Sequence, residues 1–502
     1  MEKHKIQFCL LGILLIPLIF FIPCKAQNVS FKISDNPNPW PDDYTSISSM
    51  ENYKLWGTYN VHDPYCLKVG DTYYMYSTDA IFRENRIKAK EKNINIGYIQ
   101  VRKSKDLVHW DFVGWAFPEI PVAAVEHIHK NNNNKGGTNI WAPYIVRYGN
   151  VFRLYYCVSA FGKSISYLGM AESNSPEGPW IQKGPVIKTT SHSPMNAIDP
   201  TVVTNPDNGE QWMIYGSYFG GIYCVQLNPE TGFTMKKEDF GHNVARRFNG
   251  MKNNIEAPEV IYNPQEKKYY LFVSYDPLMT TYNVRVGRSD KPEGPYFDKF
   301  GINLSQESDK YPIITHPYRF QNHSGWAGTG HCGVLRDGNH YFMFHQARLA
   351  PENQLMVLNV RELFWTEDGW PVASPERYAG SQNSFQFTSN DLVGDWEIIL
   401  IRDSKYERKL WAGQILWGES ELKEDEVNIS LKYTFTNDGK MVGEQNGAWS
   451  LSGVNKLSFK VGDEEVSDLT LFIGQDWENQ KRTILFTGLD KYGFSVWGKR
   501  IK

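Results

Sequence analysis

Cysteine is scarce in this chain. Six occur in 502 residues, four of them (Cys66, Cys157, Cys224 and Cys332) beyond the amino-terminal segment, scattered in apolar strand-like runs with no CxxC spacing. That distribution excludes a disulfide scaffold and a zinc site and predicts buried free thiols. Charge of one sign is equally scarce: Lys+Arg 53 against Asp+Glu 56 leaves −3. No global field draws such a chain to nucleic acid or an anionic membrane, so the partner is a neutral or locally recognised molecule. Long amphipathic helical stretches are missing too, which excludes a helical protein. The one long apolar run is Ile6 to Pro23, after Lys3 and Lys5 and before Cys24-Lys-Ala26. This reads as a signal peptide over 1–26 cut before Gln27, so export to the periplasm, cell surface or exterior is expected. An uncleaved N-terminal anchor and a lipid on Cys24 are the alternatives.

Rings and glycine are plentiful. Sixteen Trp, 29 Tyr and 27 Phe make 14% aromatics, and with 41 Gly they suit short strands joined by turns. One phrase recurs five times: a polar or small residue plus Pro, an apolar strand, a turn and an aromatic strand. The first copy is Asp63-Pro64-Tyr-Cys-Leu-Lys-Val-Gly70-Asp-Thr-Tyr-Tyr-Met-Tyr-Ser77, and Ala142-Pro143 to Tyr156 matches it without a gap. Asp199-Pro200 to Ser217 and Ala257-Pro258 to Ser274 follow, and His331-Cys332 to Phe344 has lost the Pro. The Pro positions stand 79, 57 and 58 residues apart, and Cys332 follows 74 residues after Pro258, intervals that hold four strands each. Five repeats of two hairpins predict an all-β fold with a five-bladed β-propeller, against a β-sandwich with accidental similarity. From about Phe385 the phrase stops and alternating strands such as Ile429 to Phe435 and Leu469 to Ile473 predict a smaller C-terminal β-barrel or sandwich. The expected division is an N-terminal extension over 27–50, the propeller over 51–380 and the C-terminal domain over 385–502.

In a propeller, residues opening the innermost strand of each blade converge at one end of the axis. The five copies bring Asp63, Trp141-Ala142, Asp199, Glu256-Ala257 and His331 to that place. Taken singly, an Asp-Pro is a turn residue capping its own backbone. Three carboxylates at matched repeats instead predict a cluster that binds a cation or performs acid/base work. Glu256 stands one residue out of phase with the two aspartates, so the repeat alone does not aim it inward. His62, Trp141, Phe161, Asn196 and Ser217 lie beside these groups in sequence or phase, and rings and short polar groups suit sugar faces and hydroxyls. The insertion from Ile81 to Ile94 and the segment from His127 to Gly136 are candidate rims.

These residues resemble glycoside hydrolase family 43, and within it the endo-1,5-α-L-arabinanase branch. The resemblance covers Trp56 to Pro371 and rests on Val61-His-Asp-Pro64, Asp106-Leu-Val-His-Trp110, Asn139-Ile-Trp-Ala-Pro143, Phe161-Gly162, Asn196-Ala-Ile-Asp-Pro200, Tyr215-Gly-Ser217, Gly220-Gly-Ile222, Ile255-Glu-Ala-Pro258, Gly328-Thr-Gly-His331 and Leu363 to Pro371. It implies Asp63 as general base, Glu256 as general acid, Asp199 as the group that tunes the acid, and His331 beside an axial cation, usually calcium. It implies inversion, and as substrate plant cell-wall arabinan or arabino-oligosaccharides; no nucleic-acid partner, no membrane association beyond a possible N-terminal anchor and a monomeric chain are expected. Tyr144 and Thr329 depart from residues common in relatives. Two readings compete with internal cutting: an exo-acting arabinofuranosidase or β-xylosidase on the same fold, and a surface protein that binds glycan without cutting it.

Overall fold

The computed structural model describes residues 48–79, 83–247, 254–306, 308–350, 356–380, 385–403 and 422–501, with backbone alone for 83–85. The signal peptide, Cys24 and nearly all of the N-terminal extension lie outside the described residues. Four antiparallel four-stranded sheets follow one another along the chain, each with strands in sequence order. Their innermost strands are His62–Val69, Trp141–Tyr148, Thr201–Thr204 and Ile255–Asn263. Each packs apolar faces against its neighbour, as expected of a propeller. Gly70, Gly149 and Gly338 occupy the same hairpin turn in three repeats, each with φ near +60°, a conformation that glycine adopts without strain.

The expectation of five equivalent blades is corrected in one respect. Four sheets stand alone, whereas the fifth repeat is merged into a seven-stranded sheet. There Cys332–Asp337, His340–Leu349, Met356–Trp365 and Pro371–Ala373 pair consecutively. His340–Leu349 outruns its inner partner, and its last two residues pair with Trp326–Ala327. The edge left open is thus covered, and Tyr318–Arg319 in turn pairs in parallel with Asn428–Ile429 of the C-terminal region. Cys332–Asp337 packs beside both Ile255–Asn263 and His62–Val69, so the last repeat meets the first.

The C-terminal unit is a closed eight-stranded barrel running from Gly394–Leu400 to Ser495–Arg500. Its interior is filled by rings: Trp396 stacks on Phe435 at 5.1 Å, and Phe435 on Trp449 at 5.2 Å. It also shares a second core with the propeller, in which Ile399, Ile401, Phe472 and Trp497 pack with Ile313, Tyr318, Phe364 and Val372. Both candidate rims carry helix, Arg83–Glu91 and Val122–Asn131. Among the described residues no helix is long and apolar enough to cross a membrane. Cys66, Cys157, Cys224 and Cys332 are buried free thiols, as expected.

Candidate active site

The five repeat-matched residues Asp63, Ala142, Asp199, Ala257 and His331 share one backbone feature: φ between +45° and +55°. A left-handed conformation at a non-glycine residue costs roughly 1–2 kcal/mol. Five such positions in phase mark strain concentrated at one end of the ring, where function is expected. At three of them the strand pairing also slips, between His62 and Tyr65, Trp141 and Tyr144, and Glu256 and Glu259. A β-bulge of this kind re-aims side chains. Glu256, one residue out of phase with Asp63 and Asp199, interacts electrostatically with both.

Asp63 is the most heavily tethered group. Its Oδ1 lies 2.7 Å from His62 Nδ1 and 2.8 Å from His331 Nδ1, and its Oδ2 accepts the Thr78 hydroxyl at 2.7 Å. Thr78 Oγ1 accepts the Ala142 backbone N–H at 2.7 Å, which ties the first blade to the second. Burial by itself pushes the Asp63 carboxyl up, but His331 and His62 hold it well below the usual carboxylate range. His331, whose backbone N–H donates to Ser274 Oγ at 2.9 Å, shifts the opposite way. Burial disfavours its charge, yet Asp63, Asp199 and Glu256 together raise it to about 9.

The other two carboxyls are driven upward. Asp199, buried and accepting the Ala257 N–H at 3.1 Å, is raised well above its ordinary value by burial and by the charges of Glu256 and Asp63. Glu256, half-buried, accepts the Ser217 hydroxyl at 2.8 Å. Burial raises its carboxyl, and this outweighs the stabilisation of the ion by hydroxyls of Ser217 and Tyr282. One carboxyl held ionised beside two held towards the protonated form is the environment split that acid/base chemistry requires.

The candidate sugar contacts divide. Trp141 and Phe161 meet edge to face at 6.2 Å and 87°, with Phe161 45% exposed and Trp141 partly buried against the core between the second and third sheets. His62 is committed to Asp63, and Ser217 to Glu256. Asn196 is buried and its Oδ1 accepts the Ser166 hydroxyl at 2.5 Å. Thr78, Ser274 and Tyr282 were missed by reading the sequence. Thr78 and Ser274 pair across their hairpins with His62 and Glu256, so the recurring Ser or Thr at the end of the second strand was the usable signal.

A cation at His331 can use only Nε2, because Nδ1 faces Asp63. Among the described residues the one group of three ligating side chains is elsewhere, Glu376, Asp476 and Glu478. Among the described residues no group of ligating side chains surrounds His331, so calcium, which prefers oxygen donors, would have to be completed there by water.

The family model described as glycosyl hydrolases family 43 matches residues 57–371, and that of a C-terminal lipocalin-like domain matches 375–498. An extracellular endo-α-(1→5)-L-arabinanase of Thermotoga petrophila is 27% identical over 485 residues, covering 88% of this chain and 94% of that one. An extracellular exo-α-(1→5)-L-arabinofuranosidase of Cellvibrio japonicus is 31% identical over 331 residues, 62% of this chain and 86% of that one. The crystal structure of an endo-1,5-α-L-arabinanase from Thermotoga petrophila superposes with a TM-score of 0.73 at 26% identity, covering 89% of this chain and 99% of that one.

Proposed function

The chain belongs to glycosyl hydrolases family 43, and from that premise we propose that it hydrolyses internal α-1,5-L-arabinofuranosidic bonds of arabinan. The observation that carries the reading is the opposite displacement of two carboxyls in one cluster, Asp63 downward and Glu256 upward. Glu256 protonates the departing glycosidic oxygen. Asp63, ionised and oriented by His62, His331 and Thr78, takes a proton from the attacking water. Burial raises the acid, as does the charge of Asp63, while Asp199 accepts the N–H of the residue that follows the acid. Trp141 and Phe161 offer ring faces to the sugar's C–H surfaces, and His62, Asn196 and Ser217 line the approach. Inversion follows if water stands between Asp63 and Glu256, which needs a separation of about 6.5–9.5 Å.

Calcium belongs to the proposal as an ion held through His331 Nε2 and water. It would supply positive charge to the carboxylate cluster, in competition with the proton that the same cluster draws onto His331. Five blades closed by the Cys332–Asp337 strand, a division at 380–385, a monomeric chain and an exported location complete the reading. Extracellular relatives support export.

Linear α-1,5-arabinan tests it. Early release of oligosaccharides of several lengths is expected. Arabinose alone would establish end cutting instead, and no product would leave a glycan-binding protein.

A further inference from the structure

Buried polar atoms without a partner gather on one face of the first blade. Ser77, Gln100 and Arg102 are all fully buried. Ser77 stands directly opposite Gln100 and Met75 opposite Arg102, so the three polar side chains share a face with Met75. That face fronts the last repeat, since Met75 packs with Phe344, Leu358 and Val360. Among the described residues, neither polar atom of the Gln100 amide, nor the Ser77 hydroxyl, nor Arg102 Nε or Nη1 has a hydrogen-bond partner. Arg102 Nη2 donates to Tyr59 O at 2.8 Å, and the neighbouring Thr58 hydroxyl is a further buried orphan. So is Nε2 of Gln346 on the facing strand of the last repeat, whose Oε1 accepts the Asp63 backbone N–H at 3.2 Å. Ile99, just before Gln100, holds φ at +61°, an outlier for a β-branched residue.

A buried guanidinium needs a counter-charge. Burial pulls Arg102 down to about 9, which still leaves it charged at neutral pH. Asp79 is the carboxylate that acts on it, and that group is engaged elsewhere. It accepts the Trp115 N–H at 2.8 Å and the Asn60 amide at 3.4 Å, and it pairs with Arg86 Nη2 at 3.7 Å. Water would satisfy the orphaned donors and leave the charge uncompensated. The groups on offer are mostly donors: guanidinium and amide N–H and hydroxyls. Such a set suits an acceptor that carries negative charge.

We propose that Arg102, Gln100 and Ser77 bind a small inorganic anion, of the charge and size of chloride, between the first and last blades. The ion gives Arg102 Nε and Nη1, Gln100 Nε2 and the Ser77 hydroxyl one shared acceptor. It stabilises the closed ring and takes no part in the reaction.

The test titrates sodium chloride against sodium glutamate at constant ionic strength and reads the melting temperature of the full chain. Wild type is expected to rise by about 2 °C or more along a saturating curve, because only the native state holds the ion. Arg102→Met is expected to lose the saturating rise. Ser77→Ala removes one donor and little else. It is expected to need at least about threefold more chloride for half the effect, which decides the matter should Arg102→Met fold poorly. No saturating rise in wild type overturns the proposal and leaves water as the partner of these groups. The same rise in Arg102→Met, or an unchanged half-saturation in Ser77→Ala, marks an adventitious ion only and overturns it too.

Discussion

His331 Nδ1 lies 2.8 Å from Asp63 Oδ1, so the residue that opens the last repeat touches the one that opens the first. The contact spans the seam where the ring closes. Folding the propeller and assembling the base are therefore one event, and a chain that fails to close has no ionised Asp63 held by two histidines.

Asp63→Asn and Glu256→Gln each remove one proton-transfer role with little change of shape. Each is expected to lower kcat on arabinan by about 10²- to 10⁴-fold while the far-ultraviolet circular dichroism spectrum is unchanged. Near-normal turnover by either folded variant would displace that residue from the mechanism.

Asp199→Asn is expected to move the alkaline limb of the kcat/KM profile to lower pH. That limb marks loss of the acid's proton. Asp199 and Glu256 repel when both are ionised, which helps to drive Asp199 upward. With one carboxyl gone, ionised Glu256 forms more easily and the acid is lost sooner as pH rises. A limb that stays in place would make Asp199 a group that orients substrate only.

Removal of calcium by a chelator is expected to lower the melting temperature, and added calcium to restore it, since an ion bound only by the native state stabilises it by mass action. Metal analysis of the purified protein accompanies the melt. An unshifted melt and no bound ion would leave His331 and Arg348 as the positive charges facing Asp63, with the two-carboxyl mechanism intact.

Lys499→Met probes the junction between propeller and barrel. Lys499 Nζ, fully buried, lies 3.0 Å from both Glu376 Oε1 and Asp476 Oδ1 and also bonds Glu478. Without it three carboxyls face each other unpaired, and a stability loss of about 3–5 kcal/mol is expected in urea titration. Deleting 385–502 goes further. It uncovers the apolar side of Ile313, Tyr318 and Phe364, so the truncated chain is expected to aggregate. A soluble, cooperatively melting propeller would contradict this.

By itself the sequence determined the repeat, its phase and the carboxyls that phase collects, because hairpin turns and strand alternation are local and leave local marks. Asp63, Asp199 and His331 were legible for that reason, as was the change of pattern near Phe385. Only the tertiary structure decided what depends on partners far along the chain. Glu256 joins the cluster although it stands one residue out of phase with Asp63 and Asp199, and no spacing rule records that. The barrel has a core of its own, as its alternation suggested, yet Trp497 also packs on Tyr318, since the outer face of a strand is apolar wherever another sheet will cover it. Such pairings arise when the ring closes and the barrel docks, and neither event is written in any window of neighbouring residues.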